Sequence, residues 1–256
     1  IAGYNIYPAT IEQKILELDY INEACACQGY DENGQLIYYP MDLVGSYGPA
    51  GDYPIYSNLL DAFADKIKRH VANDRQAVIG VFGPTGSGKS TLAIDQIKAI
   101  NKNWKLAPNL LYGPNDLKVK LKAGQYDPIN LFDEGSVTFN SLETTTTDAR
   151  KLTVIFDTMR SRHMISFIVM PRQSDLNKRI EPHIDFKMET SNRAPLPGFM
   201  SRGFFKLSYP IRYDKKTYWQ HIGTGIYDPM SKRLYNEYTA LKRKKQDAIL
   251  IDFIEG

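Results

Sequence analysis

The chain has 256 residues, a hydrophobic share of 43% and a formal net charge of only +3. That length allows one large domain or one domain with an extension, and the apolar share is enough for a sizeable core. The near balance of charge excludes a chain that is basic throughout, so any contact with nucleic acid needs a local basic face. Cys25 and Cys27 sit one residue apart. A disulfide between them would be badly strained, and no Cys or His pair elsewhere completes a zinc pattern, so a reduced intracellular protein is expected. No apolar run is long enough for a bilayer span, and the residues after Ile1 do not pair a charged start with an apolar run.

Residues 11–25 carry apolar positions at helical spacing and predict a helix. The stretch 28–54 is rich in Gly, Tyr, Pro and Asp. Within it a hairpin is expected to turn at Asn33-Gly34, between Tyr30-Asp31-Glu32 and residues 35–39. Gly45, Gly48, Pro49, Gly51 and Pro54 then read as a boundary or an ordered loop. From residue 56 the pattern alternates: a helix over 56–71, a strand over Ala77–Phe82, a helix from Lys89 and a strand near 110–112. Next come a helix near 116–121, a strand over Ile129–Phe132, a helix over 147–159 capped near Thr144 to Thr147, and a strand over Ile165–Met170. The fully apolar runs suit strands buried on both faces, so the class is α/β with a mainly parallel sheet flanked by helices. A basic and aromatic hairpin over 203–224, turning near 214–216, and a helix over 231–253 complete the pattern. The expected division is 1–55 as an irregular N-terminal segment, 56–200 as the core, and 201–256 as a hairpin and amphipathic helix packed on it.

Residues 83–90 read Gly83-Pro84-Thr85-Gly86-Ser87-Gly88-Lys89-Ser90, followed by Thr91. This satisfies G-x-x-x-x-G-K-[ST] between a buried strand and a helix. Glycines let the backbone curl so that several N–H groups face phosphate oxygens, and the helix start adds its positive end. Lys89 reaches the β- and γ-phosphates of a nucleotide, and the Ser90 hydroxyl ligates Mg2+. The apolar strand 129–132 ends in Asp133 and Glu134. An Asp there can hold Mg2+, and a Glu directly after it can orient and deprotonate the attacking water. No guanine-reading Asn-Lys-x-Asp and no Leu-Ser-Gly-Gly-Gln occurs. Mg2+-dependent ATP hydrolysis by something other than a transporter ATPase is therefore expected.

Residues 160–180 place Arg160 and Arg162 before the strand 165–170, and Arg172, Gln173, Ser174 and Asp175 after it. Over roughly residues 77–190 the chain resembles the FtsK/HerA superfamily of DNA-pumping ATPases, which includes viral packaging ATPases and zonula-occludens-toxin-like phage proteins. In that pattern Arg162 matches the family arginine, and Leu176 and Ile180 match the apolar positions after the strand. Two positions depart from it. Ser161 replaces the usual Gly, and Pro171 stands where the family has its γ-phosphate-sensing Gln, which leaves Arg172 and Gln173 both as candidates for that role. The resemblance implies a RecA-like P-loop ATPase that binds double-stranded DNA and forms a homo-oligomeric ring, often of six. It further implies an arginine (Arg160 or Arg162) reaching the neighbouring subunit's nucleotide, and a place in the cytoplasm, of the host if viral, or in a virion. Surface pairing of those arginines with acids such as Asp157 is the competing reading.

Two further segments carry basic residues. Lys242-Arg243-Lys244-Lys245 could meet nucleic-acid phosphates but reads rather as a solvated face of the last helix, whose Leu234, Tyr238, Leu241, Ile249 and Phe253 are expected to pack inward. The hairpin mixes Lys206, Arg212, Lys215 and Lys216 with Phe204, Phe205, Tyr209, Tyr213, Tyr218 and Trp219, a composition that serves either a small core or a strand of DNA. His163 and His183 belong to no ligand cluster. A DNA motor is the leading expectation. An ATPase of the AAA+ or helicase-loader kind, or a nucleotide switch or kinase that never engages DNA, are the alternatives.

Overall fold

In the computed structural model of the chain, the residues described are 25–30, 36–41, 43–47, 53–112, 114–122, 124, 128–133, 163–191, 203–213 and 216–255. The strands are β1 (Cys25–Tyr30), β2 (Leu36–Met41), β3 (Leu43–Tyr47), β4 (Tyr53–Tyr56), β5 (Ala77–Phe82), β6 (Leu110–Leu111), β7 (Ile129–Phe132), β8 (Ile165–Met170), β9 (Phe186–Thr190), β10 (Phe204–Tyr213) and β11 (Lys216–Ile226). The helices are α1 (Leu59–Ala72), α2 (Lys89–Ile100), α3 (Pro114–Lys122) and α4 (Lys232–Glu255).

Every residue of β5 and of β8 is buried, as their uninterrupted apolar sequences require of strands covered on both faces. Alternation along the strands divides the core into two layers. Ile79 and Val81 of β5, with Phe167 and Val169 of β8, pack against Phe63 and Ile67 of α1 and Leu92 and Ile97 of α2. Val78 and Phe82, with Ile168 and Met170, face Leu117 of α3 and Leu176, Ile180 and Ile184 of the segment after β8. The two periodicities thus agree: period 2 in the strands sends neighbours to opposite layers, and the helical stripe of α1 fills one of them.

Among the described residues, nine strands form one sheet in the order β3-β4-β11-β10-β9-β5-β8-β7-β6. The block β9-β5-β8-β7-β6 is parallel throughout. β10 and β11 continue it antiparallel, and β4 then pairs in parallel with β11, Thr224 opposite Ile55. Because β5 lies between β8 and β9, the chain leaves it in one direction for β6 and returns on its other side at β9. The crevice at such a reversal is where open α/β sheets bind their ligands.

Several sequence expectations need correction. Residues 43–47 and 53–56, expected in a boundary or loop, are strands of the main sheet, and Tyr56 belongs to β4 rather than to the following helix. Pairing of Ile55 and Tyr56 with β11 overrides local helical preference there, so the helix begins only at Leu59. Antiparallel strands flank residues 31–35, Tyr30 opposite Leu36 and Cys25 opposite Met41, which puts Cys25 in a strand; the turn expected at Asn33-Gly34 lies outside the described residues. The rest of the helix expected over 11–25 lies outside the described residues, as do the helix at 147–159 and its cap. β6 stops at Leu111, because the Tyr112 N–H donates to the Asp116 carboxylate (2.8 Å) instead of to a ladder. The helix expected from 116 starts earlier, at Pro114, a residue whose fixed φ and missing N–H suit a first turn.

Candidate active site

The loop between β5 and α2 sits at the carboxyl end of the parallel block. Its start is tied to β8 by the Gly83 N–H, which donates to the Pro171 carbonyl at 3.2 Å. Its end is Gly88, at φ +91, whose carbonyl takes the first helical bond from the Leu92 N–H. An added Cβ at Gly88 would overlap the Tyr227 hydroxyl, so glycine is required there twice over, by conformation and by space. Between them, Pro84, Thr85 and Gly86 are exposed, while Ser87 is fully buried. The Ser87 hydroxyl donates to the Pro84 carbonyl (2.7 Å) and lies 2.6 Å from the Thr190 hydroxyl. The Ser87 carbonyl accepts from the Tyr227 hydroxyl (3.1 Å). The loop is thus braced from β9 and from the residue following β11, with its exposed crest open to solvent. Lys89 at present folds over that crest, its Nζ donating to the Pro84 carbonyl at 2.9 Å.

Ser90, one position into α2, donates its hydroxyl to Asp133 Oδ1 at 2.8 Å. Asp133 directly follows β7 and is only 1% exposed. Its other oxygen, Oδ2, accepts from the Tyr238 hydroxyl (2.6 Å) and the Tyr112 hydroxyl (3.1 Å), with Lys242 Nζ at 3.5 Å. Burial first, and then the negative charge of Asp133, pushes the Tyr238 hydroxyl far above its ordinary value, so it remains a neutral donor.

A buried strand, a glycine loop at a helix start, and an acid on a second strand, with one strand between, make a recognisable core. The fold is that of a RecA-like P-loop NTPase. The oxygens of Ser90 and Asp133 are the hard donors that Mg2+ prefers, and few protein ligands suffice for an ion that keeps water and phosphate oxygens. Among the described residues no group of three or more His, Cys, Asp or Glu could hold a metal.

The structure brings Gly83, Pro84, Thr85, Gly86, Ser87, Gly88, Lys89, Ser90 and Thr91 together with Asp133 at one end of the sheet. Arg172 and Gln173 lie just beyond Pro171, in the same chain segment that receives the Gly83 N–H. Arg172 is exposed, and the Gln173 amide donates to Glu181 Oε1 at 3.1 Å. Glu134, Arg160 and Arg162 lie outside the described residues. Sequence reasoning did not find Tyr112, Thr190, Tyr227 and Lys242 as neighbours of the P-loop site, and it read Tyr238 as plain core. The basic run proves divided: Arg243 and Lys244 are exposed, whereas Lys242 faces Asp133 and Lys245 bonds Asp116 of α3 at 2.5 Å. The 238/242 spacing of four, which puts a tyrosine and a lysine on one helix face, was the available signal.

No protein-family model and no curated protein sequence matches the chain. It is similar to solved structures at low identity. One is the genome packaging NTPase B204 from Sulfolobus turreted icosahedral virus 2 in complex with ATP-gammaS, at 12% identity and a TM-score of 0.39, over 62% of this chain and 98% of that one. EssC (ATPases 2 and 3) from Geobacillus thermodenitrificans is 13% identical with a TM-score of 0.36, over 87% of this chain and 49% of that one. A KaiC-like protein from Pyrococcus horikoshii OT3 is 12% identical with a TM-score of 0.30, over 74% of this chain and all of that one. No helix among the described residues is long and apolar enough to cross a membrane.

Proposed function

We propose that the chain hydrolyses ATP with Mg2+ and works as an oligomeric motor on double-stranded DNA. The observation that carries the hydrolase reading is the 2.8 Å bond between Ser90 and Asp133, which sets a hydroxyl and a buried carboxylate side by side at the mouth of the P-loop. In this reading the backbone N–H groups of residues 85–91 and the start of α2 bind the β- and γ-phosphates. Lys89 leaves the Pro84 carbonyl for the same phosphates. Ser90 and Asp133 would hold Mg2+, which would supply positive charge against the charge that develops on the phosphate oxygens. Glu134 orients the attacking water and takes its proton. Arg172 or Gln173 senses the γ-phosphate, and Arg160 or Arg162 reaches the nucleotide of the next subunit in a ring, for which six members are favoured.

The DNA-motor part is supported by the resemblance carried by residues 160–180 and by the exposed Lys206 and Tyr218 on the β10–β11 hairpin, a cation and an aromatic of the kind that meet a nucleic-acid backbone and bases. The deciding experiment is steady-state ATP hydrolysis with and without double-stranded DNA at low salt, with Lys89→Ala as the blank. Turnover that Lys89→Ala abolishes, that DNA stimulates and that added salt returns to the basal rate supports the full reading. Turnover indifferent to DNA keeps the ATPase and replaces the motor with a protein-directed ATPase. A monomer in every nucleotide state, with no turnover, supports a nucleotide switch. Glu134→Gln should bind ATP and hold it unhydrolysed; normal turnover in that variant refutes Glu134 as the base.

A further inference from the structure

Asp133 divides its two oxygens between two different parts of the molecule. Oδ1 meets Ser90 at the P-loop, and Oδ2 meets α4 through Tyr238 and Lys242. Lys242 Nζ stands 3.5 Å from Oδ2, with the side chain three-quarters buried and the aspartate almost wholly so. It also lies 3.4 Å from the Tyr238 hydroxyl, one helical turn away. Of the α4 residues from 232 to 247, Tyr238 alone is fully buried, while Leu234 and Leu241 are partly so. Besides the packing of Leu234, Tyr238 and Leu241, the described part of the helix meets two carboxylates, Asp133 through Tyr238 and Lys242, and Asp116 through Lys245.

We infer that Lys242 is a built-in cation that competes with Mg2+ for Asp133, so that loading the metal loosens α4. This rests on the reading of Asp133 as a Mg2+ ligand. An ammonium and a divalent ion at one buried carboxylate repel each other with little water between them, so each weakens the hold of the other. Without metal, Lys242 offsets the charge of Asp133 and ties α4 down. With metal, the lysine is driven off Oδ2 and that tie is lost, while the Tyr238 and Tyr112 hydroxyls stay compatible with either state. The same contact thus keeps Asp133 oriented for the metal and reports its arrival to the last helix.

The test is an equilibrium titration of Mg2+ at fixed fluorescent ATP analogue, read as the half-saturating Mg2+ concentration, so turnover is not involved. Lys242→Met keeps the aliphatic stem and removes the charge; it should lower that concentration roughly three- to tenfold, a change of the size expected for a largely buried charge contact. Lys242→Arg, which keeps the charge, should stay within about twofold of the parent. Lys242→Gln repeats the neutral arm if the Met variant is poorly folded. An unchanged or raised half-saturation in the neutral variants overturns the competition while leaving Asp133 as a metal ligand. Analogue binding that ignores Mg2+ in the unaltered protein removes both. Amide exchange across 236–247 should speed up when Mg2+ and analogue load the unaltered protein; unchanged exchange overturns the loosening of α4.

Discussion

Replacing Gly88 by alanine adds two costs that can be separated. The backbone there has φ +91, on the left-handed side, where a Cβ costs about 1–2 kcal/mol. The added carbon also overlaps the Tyr227 hydroxyl, and forcing an extra methyl into a packed site costs about 1–3 kcal/mol. Gly88→Ala should therefore destabilise the fold by about 2–5 kcal/mol. Tyr227→Phe alone removes the 3.1 Å bond to the Ser87 carbonyl, a loss of about 1 kcal/mol. In the double variant the hydroxyl is gone and the nearest ring atom, Cζ, stands 3.3 Å from the added carbon, a gap that a small shift of the ring relieves. The backbone cost then persists and most of the overlap does not, so the double variant should fall short of the sum of the singles by about 1–2 kcal/mol. Urea denaturation of the four proteins, followed through the buried Trp104, gives the cycle. Strict additivity would refute the overlap with Tyr227. A Gly88→Ala loss below about 0.5 kcal/mol would refute the left-handed conformation.

Two further perturbations probe the sheet. Asp185 accepts the Val78 N–H at 2.9 Å, and burial raises its carboxyl above the ordinary value against the opposing pull of that bond and of His70, Arg212 and His183. The folded protein thus holds that proton more tightly than the unfolded chain, and the contribution of Asp185 is fullest in acid and erodes as pH rises through the folded value. Asp185→Asn stays neutral and keeps an acceptor, so its stability relative to the parent should rise from about pH 4 to about pH 7 in urea unfolding. A relative stability flat or falling over that range would refute the shift. Phe167, wholly buried in β8, should cost about 3–5 kcal/mol as Phe167→Ala by the same measurement, and a loss under about 1 kcal/mol would contradict its placement in the core.

The parts of this fold that could be read from sequence are those whose local and tertiary demands coincide. β5, β7 and β8 are short apolar runs that have to be buried, and the G-x-x-x-x-G-K-[ST] spacing of the P-loop is a local pattern in the sequence. The hairpin of β10 and β11 was legible for a similar reason, its turn and its arms being neighbours in the chain. β4 was not, because nothing in Tyr53-Pro54-Ile55-Tyr56 announces a parallel pairing with a strand near the far end of the sequence. The acid at 133 was legible, since position after a buried strand defines it. Its partners were not: Tyr238 is 105 residues away, and Lys242 is disguised within four consecutive cations, two of which do face water. Helical phase alone cannot tell a lysine that faces a carboxylate from one that faces solvent.

The bracing of the P-loop by Tyr227 also bears on the order in which the molecule is made. The Tyr227 bond to the Ser87 carbonyl spans 140 residues, and the Tyr238 bond to Asp133 spans 105. Contacts of such sequence separation form late, after the closure of large loops. While a ribosome is still adding residues 200–240, β5 and α2 are already synthesised but the Ser87 carbonyl and Asp133 lack these partners. The P-loop is consequently braced only once residues 227–238 have been made, long after the loop itself.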